Sequence, residues 1–167
     1  KEAVKGISFN IRENEILGLL GPNGCGKTTT IGMLLGLLKP TTGQIKIDNM
    51  DFEKNRIEIL SKINFISPYI ELPKKLTVKQ NLIVYGKLYN IENLEQRIQY
   101  LTEKLRLEEL LNRITGELSS GQKNRVSLAK ALINKPKVLF LDEPTASLDP
   151  EVGDFVRSFL EKYKQEN

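Results

Sequence analysis

The sequence predicts an α/β fold in which a mostly parallel sheet carries an inserted α-helical subdomain. Strand-like segments alternate with helical ones along the 167 residues. Two of these strands, 15–20 and Val138–Leu141, are almost continuously apolar, which is typical of strands buried on both faces of a parallel sheet. Between residues 67 and about 114, apolar residues instead recur at helical spacing, and this predicts the insert. Because ligands of such sheets bind at the carboxyl ends of the strands, we expect the chemistry to follow residues 20 and 141.

The first part of the chain supplies most of the predicted strands. Residues 4–11 alternate apolar and polar side chains, as a half-buried strand does, and 15–20 form the second strand, which runs into a glycine-rich loop. A helix is expected over 27–38, since Lys39 and Pro40 end the pattern. The remaining elements here are a short strand over 44–47, closed by the turn residues Asp48 and Asn49, a helix over 56–62 and a strand over 63–66.

The second part is mostly helical. The insert is followed by a helix over 119–134, a strand over 137–141 and a last helix that begins at Pro150 or Glu151. Boundaries between these elements are expected to differ from the structure by a few residues.

Composition excludes several classes of chemistry. The chain has no histidine and one cysteine, so imidazole catalysis, an internal disulfide and a cysteine-rich zinc site are excluded for these residues. Lysine and arginine number 25 against 21 acids, a net charge of +4, and the two signs are interleaved. This indicates a solvated charged surface rather than a nucleic-acid interface. No apolar run approaches the roughly 18 residues that a membrane-spanning helix needs.

The loop after residue 20 fits the pattern G-x-x-x-x-G-K-[ST]. Glycines allow successive backbone N–H groups to point at phosphate oxygens, and the following helix adds the positive end of its dipole. The lysine can bridge the β- and γ-phosphates, and the hydroxyl after it can bind Mg²⁺. The alternative is that this segment is only a glycine-rich turn that connects the strand to the helix. The residues concerned are Gly21, Pro22, Asn23, Gly24, Cys25, Gly26, Lys27 and Thr28.

Two acids follow the apolar strand Val138–Leu141. Asp142 is well placed to hold Mg²⁺, and Glu143 could polarise water for in-line attack on a γ-phosphate. The alternative is that both acids begin a surface loop, but an acid at the end of a buried strand is costly unless it meets a cation.

A second helix start lies at residues 118–122, where Ser119 or Ser120 is a good N-cap and Gly121 allows close approach of a ligand. From physical chemistry alone, the simplest interpretation is a capped helix; the other is a second anion site.

Taken together, these segments resemble the ATP-binding cassette (ABC) ATPases of ABC transporters. The phosphate loop is G-P-N-G-C-G-K-T-T, 21–29, which adds Thr29 to the set above, and the family's signature is matched by L-S-S-G-Q, 118–122. The Walker B segment is V-L-F-L-D-E-P, 138–144, and the D-loop is S-L-D, 147–149. Order and spacing agree over nearly the whole chain.

The resemblance implies a P-loop NTPase core, formed by 1–66 and 135–167, and a helical subdomain over 67–134 that includes the signature helix. ATP and Mg²⁺ are the implied ligands, with Lys27 and Glu143 as catalytic residues and Thr28 and Asp142 as metal ligands. Two cassettes pair head to tail, so that one chain's signature faces the γ-phosphate held by the other. The remaining nucleotide contacts are then Ser119, Ser120, Gly121, Gln122 and Asp149.

Three departures from the family pattern stand out. The glutamine that usually follows the strand 63–66 is replaced by Ser67 or Pro68. The switch histidine usually lies beyond the D-loop and the adenine-stacking aromatic upstream of residue 4, so the resemblance predicts a cassette truncated at both ends.

The predicted function is ATP hydrolysis that drives transport, with integral membrane subunits as partners and no nucleic acid. The finer expectation is an exporter of drug or polysaccharide type, peripheral to the cytoplasmic face of a bacterial inner membrane. A non-transport ABC ATPase of translation or DNA repair is the alternative. Another P-loop enzyme, a kinase or a GTPase, is disfavoured by residues 118–122 and by the absence of an N-K-x-D motif.

Overall fold

A computed structural model describes residues 2–67, 71–142 and 150–166. The chain forms two compact units, one of Lys1–Leu60 with Arg157–Asn167 and the other of Ser61–Val156. The division into 1–66 with 135–167 and 67–134 stays a prediction.

The first unit contains the helix that follows the glycine-rich loop, α1 (Lys27–Leu34), and a hairpin of β1 (Lys46–Ile47) and β2 (Met50–Asp51). The hairpin pairs Lys46 with Asp51 and Ile47 with Met50. Its two turn residues, Asp48 and Asn49, both have positive φ (54° and 60°), the conformation that a tight two-residue hairpin requires and that Asp and Asn tolerate. The turn predicted at these positions is confirmed. A short helix, α2 (Arg56–Lys62), follows.

Helix α1 ends four residues earlier than the sequence predicts. Gly36 adopts φ 68°, Leu37 N donates to the carbonyl of Gly32 (2.8 Å), and Gly36 N donates to that of Met33 (3.0 Å). This pair of bonds is a Schellman motif, which satisfies the last carbonyls of a helix. A Cβ on Gly36 would lie 2.6 Å from Cε1 of Phe52, so the close approach of that ring also requires glycine. The prediction relied on Pro40 and overlooked Gly36.

The two strands predicted at 4–11 and 15–20 are not formed in the described structure, and that prediction was wrong. A turn at Arg12–Glu15 is present, with Glu15 N donating to the carbonyl of Arg12 (3.2 Å). The apolar side chains on either side of it stay exposed; Leu20 is 94% accessible. A strand is defined by the ladder it makes with a neighbour. Alternating apolar residues indicate that a segment tends to be extended, but they do not provide the neighbouring strand with which it must pair.

The second unit contains a pair of parallel strands. β3 (Ile63–Ile66) and β4 (Val138–Leu141) run parallel, with Ile63 opposite Val138 and Ile66 opposite Leu141. Three helices accompany them: α3 (Val78–Leu88), α4 (Leu94–Leu105) and α5 (Ser120–Leu132), with short 3₁₀ turns at Glu108–Leu110 and Thr115–Glu117. The helical character expected within 67–134 is therefore confirmed.

Apolar residues at helical spacing form the core of this unit. Its fully buried side chains include Val78, Leu82, Leu101, Leu105, Leu107, Val126, Leu128, Leu132 and Ile133. Burial of each such side chain contributes roughly 1.5–3 kcal/mol, so this cluster is the main source of the unit's stability.

Two arginines join α4 to α5. The buried Arg97 of α4 donates to the carbonyls of Leu132 and Ile133 at the end of α5. Arg125 of α5 donates to the carbonyls of Leu105 (3.4 Å) and Arg106 (3.0 Å) at the end of α4. Each helix thus supplies the cation that satisfies the other's C-terminal carbonyls.

The last helix, α6, spans Pro150–Glu166. No helix formed by the described residues is both long and apolar enough to cross a membrane.

Candidate functional site

The glycine-rich loop ends at Gly26, which is the N-cap of α1 and has φ 100°. A Cβ at this position would lie 2.7 Å from the backbone oxygen of Ala3, so both the conformation and the space require glycine. Gly26 offers no side-chain cap. The first N–H groups of α1 therefore lack the usual side-chain acceptor, and an anion could take that place.

Lys27 folds back over this loop. Its Nζ donates to the carbonyl oxygens of Gly21 (2.7 Å) and Pro22 (3.0 Å) and lies 3.9 Å from Sγ of Cys25. The ammonium group is thus held at the mouth of the loop by neutral acceptors, and a phosphate oxygen would bind it more strongly than these carbonyls do. Cys25 itself is exposed.

The threonines after Lys27 have different environments. Thr28 is exposed and Thr29 half-buried. Thr30 is buried, and its hydroxyl donates to the carbonyl of Gly26 (2.9 Å), which fixes the first turn of α1 against the loop. Sequence reasoning did not single out Thr30; the signal was a hydroxyl four residues after the capping glycine.

In the second unit, Asp142 and Ser67 meet at the carboxyl ends of the parallel strands. Asp142 N donates to the carbonyl of Ile66 (2.9 Å), and the hydroxyl of Ser67 lies 3.4 Å from Oδ2 of Asp142. The structure therefore brings together the acid predicted to bind metal and one of the two residues predicted at the glutamine position. Both offer hard oxygen ligands, which suit Mg²⁺; this ion is usually held by one or two carboxylates, waters and substrate phosphates.

The signature segment forms a capped helix start. Ser119 Oγ accepts from Gln122 N (3.3 Å), and Gln122 Oε1 accepts from Ser119 N (3.0 Å), a reciprocal capping box. Leu118 before it is buried. The side chains of Ser119 and Gln122 are engaged in these two hydrogen bonds. The exposed Ser120 and the backbone at Gly121 are therefore the groups of this segment that remain to face a ligand.

A polar network between β3 and the C-terminal end of α5 was not predicted from the sequence. Asn64 Nδ2 donates to Asn134 Oδ1 (2.9 Å), and Asn134 Nδ2 donates to the carbonyl of Ser61 (2.9 Å). Lys130 Nζ donates to Asn64 Oδ1 (3.3 Å), and burial lowers the pKa of Lys130. Asn64 and Asn134 are 70 residues apart in the chain, and neither belongs to a local pattern.

The predicted site residues are divided between the two units. The glycine-rich loop with Lys27 and Thr28 lies in the first, and Asp142, Ser67 and the 118–122 segment lie in the second. Glu143, Asp149 and Pro68 lie outside the described residues. Within the described ranges, no three His, Cys, Asp or Glu side chains cluster so as to hold a metal without further ligands.

Comparison with known proteins identifies the family. The family model described as "ABC transporter" matches residues 4–146. The chain belongs to the ABC transporter family. Among solved structures, this family member resembles a dimeric ATP-binding cassette, MJ0796, bound to ADP and Pi, with a TM-score of 0.86 at 30% identity over 98% of this chain and 75% of that one. The predicted P-loop fold class is therefore confirmed.

Curated relatives of this ABC family member are ATP-binding proteins of transporters. The bacitracin transport ATP-binding protein BcrA of Bacillus licheniformis is 41% identical over 90% of this chain and 49% of its own length. The ABC transporter ATP-binding protein NatA of Bacillus subtilis (strain 168) is 34% identical, with 99% and 68% covered. The Nod factor export ATP-binding protein I of Paraburkholderia xenovorans is 37% identical, with 98% and 56% covered. The chain spans about half the length of two of these three relatives.

Proposed function

We propose that this chain is the nucleotide-binding part of a transporter and that it binds Mg·ATP and hydrolyses it. The observation that carries the proposal is the start of α1, where an uncapped helix N-terminus at Gly26 and the Lys27 ammonium converge on one glycine-rich loop. Backbone N–H groups, helix dipole and cation together match a polyphosphate.

The loop residues and the metal ligands have separate roles in this proposal. Lys27 exchanges the carbonyls of Gly21 and Pro22 for β- and γ-phosphate oxygens when nucleotide binds. Thr28 and Asp142 would each supply an oxygen ligand to Mg²⁺, and the hydroxyl of Ser67 orients the carboxylate of Asp142. The ion would supply positive charge that offsets the charge developing on the transferred phosphoryl group.

Glu143 takes the role of general base. It follows Asp142 directly at the end of β4, and a carboxylate there can accept a proton from the water that attacks the γ-phosphorus in line. Phosphate leaves when the bond between the γ-phosphorus and the bridging oxygen breaks, and ADP carries that oxygen away.

A second copy completes the site in this proposal. Ser120 and Gly121 at the start of α5 face the γ-phosphate held by the partner, and Asp149 contributes from the D-loop. The dimeric cassette bound to ADP and Pi supports the pairing of two copies. Closure is favoured because ATP binds the paired state more tightly than the open one.

The finer proposal is that integral membrane subunits use this cycle for export across a bacterial inner membrane, with the chain on its cytoplasmic face. Two relatives are named for bacitracin transport and Nod factor export, which supports a drug- or polysaccharide-type cargo. Coexpression with a neighbouring multi-span membrane protein, followed by copurification, tests this part.

Direct nucleotide binding tests the core of the proposal. Titration of the intact chain with Mg·ATP, followed by calorimetry or a fluorescent analogue, is expected to show saturable binding that EDTA weakens. A chain that is folded by circular dichroism but does not bind would overturn the proposed function.

A further inference from the structure

Two segments that precede helices are paired with each other in the second unit. Residues 73–77 lead into α3 and residues 111–117 lead toward α5, and Thr77 and Ile114 form an antiparallel bridge between them. Backbone hydrogen bonds on either side of the bridge include Thr115 N to Leu76 O (2.9 Å), Val78 N to Arg113 O (3.0 Å) and Gly116 N to Lys74 O (3.0 Å). These bonds hold the start of α3 against the approach to α5, and we call this contact the junction.

Asn81 of α3 fastens the junction from the inside. Its side chain is fully buried, and Nδ2 donates to Thr115 Oγ1 (2.8 Å) and to the carbonyls of Pro73 (3.2 Å) and Thr77 (3.2 Å). Thr115 is buried as well. Because water cannot readily replace a lost partner in such a place, the bond between the amide and the hydroxyl stabilises the junction.

The first turns of α5 have little other attachment to the core. Residues 120–125 are all exposed or half-buried, and Val126 is the first buried side chain along the helix. Just before the helix, Thr115 and Leu118 are buried, and the 3₁₀ turn Thr115–Glu117 leads from one to the other. The position of the helix start therefore depends on how Thr115 is held.

We propose that Asn81, acting through Thr115, positions Ser120 and Gly121 for the nucleotide held by a partner copy. Asn81 is thus a positioning residue, since it acts through the junction and not by touching the nucleotide. Groups that are already oriented bind a ligand more tightly, because less conformational entropy is lost when the complex forms. The inference rests on the proposed function, in which Ser120 and Gly121 face the partner's γ-phosphate.

Thr115→Val tests the proposal, because valine keeps the shape of threonine and removes the hydroxyl. Analytical ultracentrifugation with Mg·ATP should show a dimer dissociation constant raised by about 10-fold, the scale of one buried hydrogen bond. The affinity of the single chain for Mg·ATP should not change, because the glycine-rich loop belongs to the first unit. Parental pairing by a folded Thr115→Val chain would overturn the proposal, as would an equal loss of nucleotide affinity.

Two matched variants show whether the hydroxyl is responsible. Thr115→Ser keeps the acceptor for Asn81 and should pair as the parent chain does; if it pairs as poorly as Thr115→Val, the proposal is wrong. Thr102→Val makes the same change at a buried position of α4, where the hydroxyl has no hydrogen-bond partner among the described residues. This control should leave pairing unaltered.

A double-mutant cycle connects the effect to Asn81. Asn81→Ala should weaken pairing at least as much as Thr115→Val, and adding Thr115→Val to it should cost little more, because both changes remove the same bond. Fully additive losses would contradict action through Thr115. Urea denaturation is measured first, and if Asn81→Ala does not fold, the comparison of Thr115→Val with Thr115→Ser decides.

Hydrogen–deuterium exchange without nucleotide separates failure of this inference from failure of the proposed function. Thr115→Val should speed exchange of the backbone amides at 118–122 several-fold and leave those of α4 unchanged. Unaltered exchange at 118–122 would overturn the inference even if the parent chain pairs. Parent chains that fail to pair with Mg·ATP would instead contradict the proposed function, whatever the exchange shows.

Discussion

The hydroxyl of Ser67 lies 3.4 Å from Oδ2 of Asp142, at the ends of two parallel strands that are 75 residues apart in sequence. The family usually has a glutamine just after the first of these strands. In this chain, a much shorter side chain contacts the predicted metal ligand from there. An oriented carboxylate is a better ligand than a mobile one, so Ser67 is expected to influence metal affinity.

Ser67→Ala should therefore raise the Mg²⁺ concentration needed for half-maximal ATP turnover by about 10-fold, the lower end of what loss of a ligand-orienting group costs. Nucleotide affinity measured in EDTA should not change, because Ser67 does not belong to the phosphate loop. Exposed Ser8→Ala serves as the control. An unaltered Mg²⁺ midpoint would remove Ser67 from the metal site.

Lys27→Ala should weaken ATP binding by roughly 100-fold, because losing the charge-assisted hydrogen bonds to phosphate oxygens costs about 3 kcal/mol of binding free energy. Calorimetric titration with Mg·ATP measures the change. Lys39→Ala is the matched control, because Lys39 is exposed in the same unit and pairs with Glu53 at 2.9 Å. Equal affinities for the two variants would contradict the role assigned to Lys27.

Glu143→Gln should retain ATP binding and slow hydrolysis by roughly 10²–10⁴-fold, the usual contribution of a general base. The amide cannot accept the proton of the attacking water, so the ATP-bound dimer should accumulate and be visible by size-exclusion chromatography. Glu161→Gln, an exposed position on α6, is expected to behave as the parent chain. Normal turnover by Glu143→Gln would exclude this residue from the mechanism.

Gly121→Asp should abolish ATP-induced pairing, because it sets a negative charge against the phosphate presented by the partner. Binding of Mg·ATP to the single chain should persist, as the loop at Gly26 is untouched. Gly121→Ala adds a side chain without a charge and so serves as the control for size. The chains of this variant should pair with ATP more readily than those of Gly121→Asp. Analytical ultracentrifugation with Mg·ATP measures both, and a dimer formed by the aspartate variant would refute the trans arrangement.

Arg97→Met should lower the free energy of unfolding by about 3 kcal/mol, because carbonyls of Leu132 and Ile133 lose a charged donor in a buried place. Arg125→Met, whose guanidinium is more accessible, should cost only about 1 kcal/mol. Urea denaturation followed by circular dichroism measures both. Equal losses would mean that burial does not distinguish the two arginines.

Local patterns in the sequence predicted much of this structure. The helix N-cap predicted at Ser119 or Ser120, the turn at Asp48 and Asn49, and the loop before Lys27 each depend on residues within a few positions of one another, so a single sequence can predict them. The apolar run of β4 predicted a strand of a parallel sheet, but the sequence did not predict that β3 would be its neighbour.

Features that depend on distant residues could not be predicted in this way. The bond between Asn64 and Asn134 joins positions 70 residues apart, and neither amide belongs to a motif. The segments at 4–11 and 15–20 are a different case. Their apolar residues correctly indicate a preference for extended backbone, but a strand forms only where a neighbouring strand pairs with it. The end of α1 was mispredicted although the signal is local: Gly36 ends the helix before Pro40 is reached.

The exchange of arginines between α4 and α5 has a consequence for how this unit opens. When the end of α5 frays, Arg97 loses its acceptors and a buried cation is left unsatisfied, which in turn weakens the packing of α4. The converse holds for Arg125 and α4. The backbone amides of the two helices should therefore exchange with deuterium as one cooperative block.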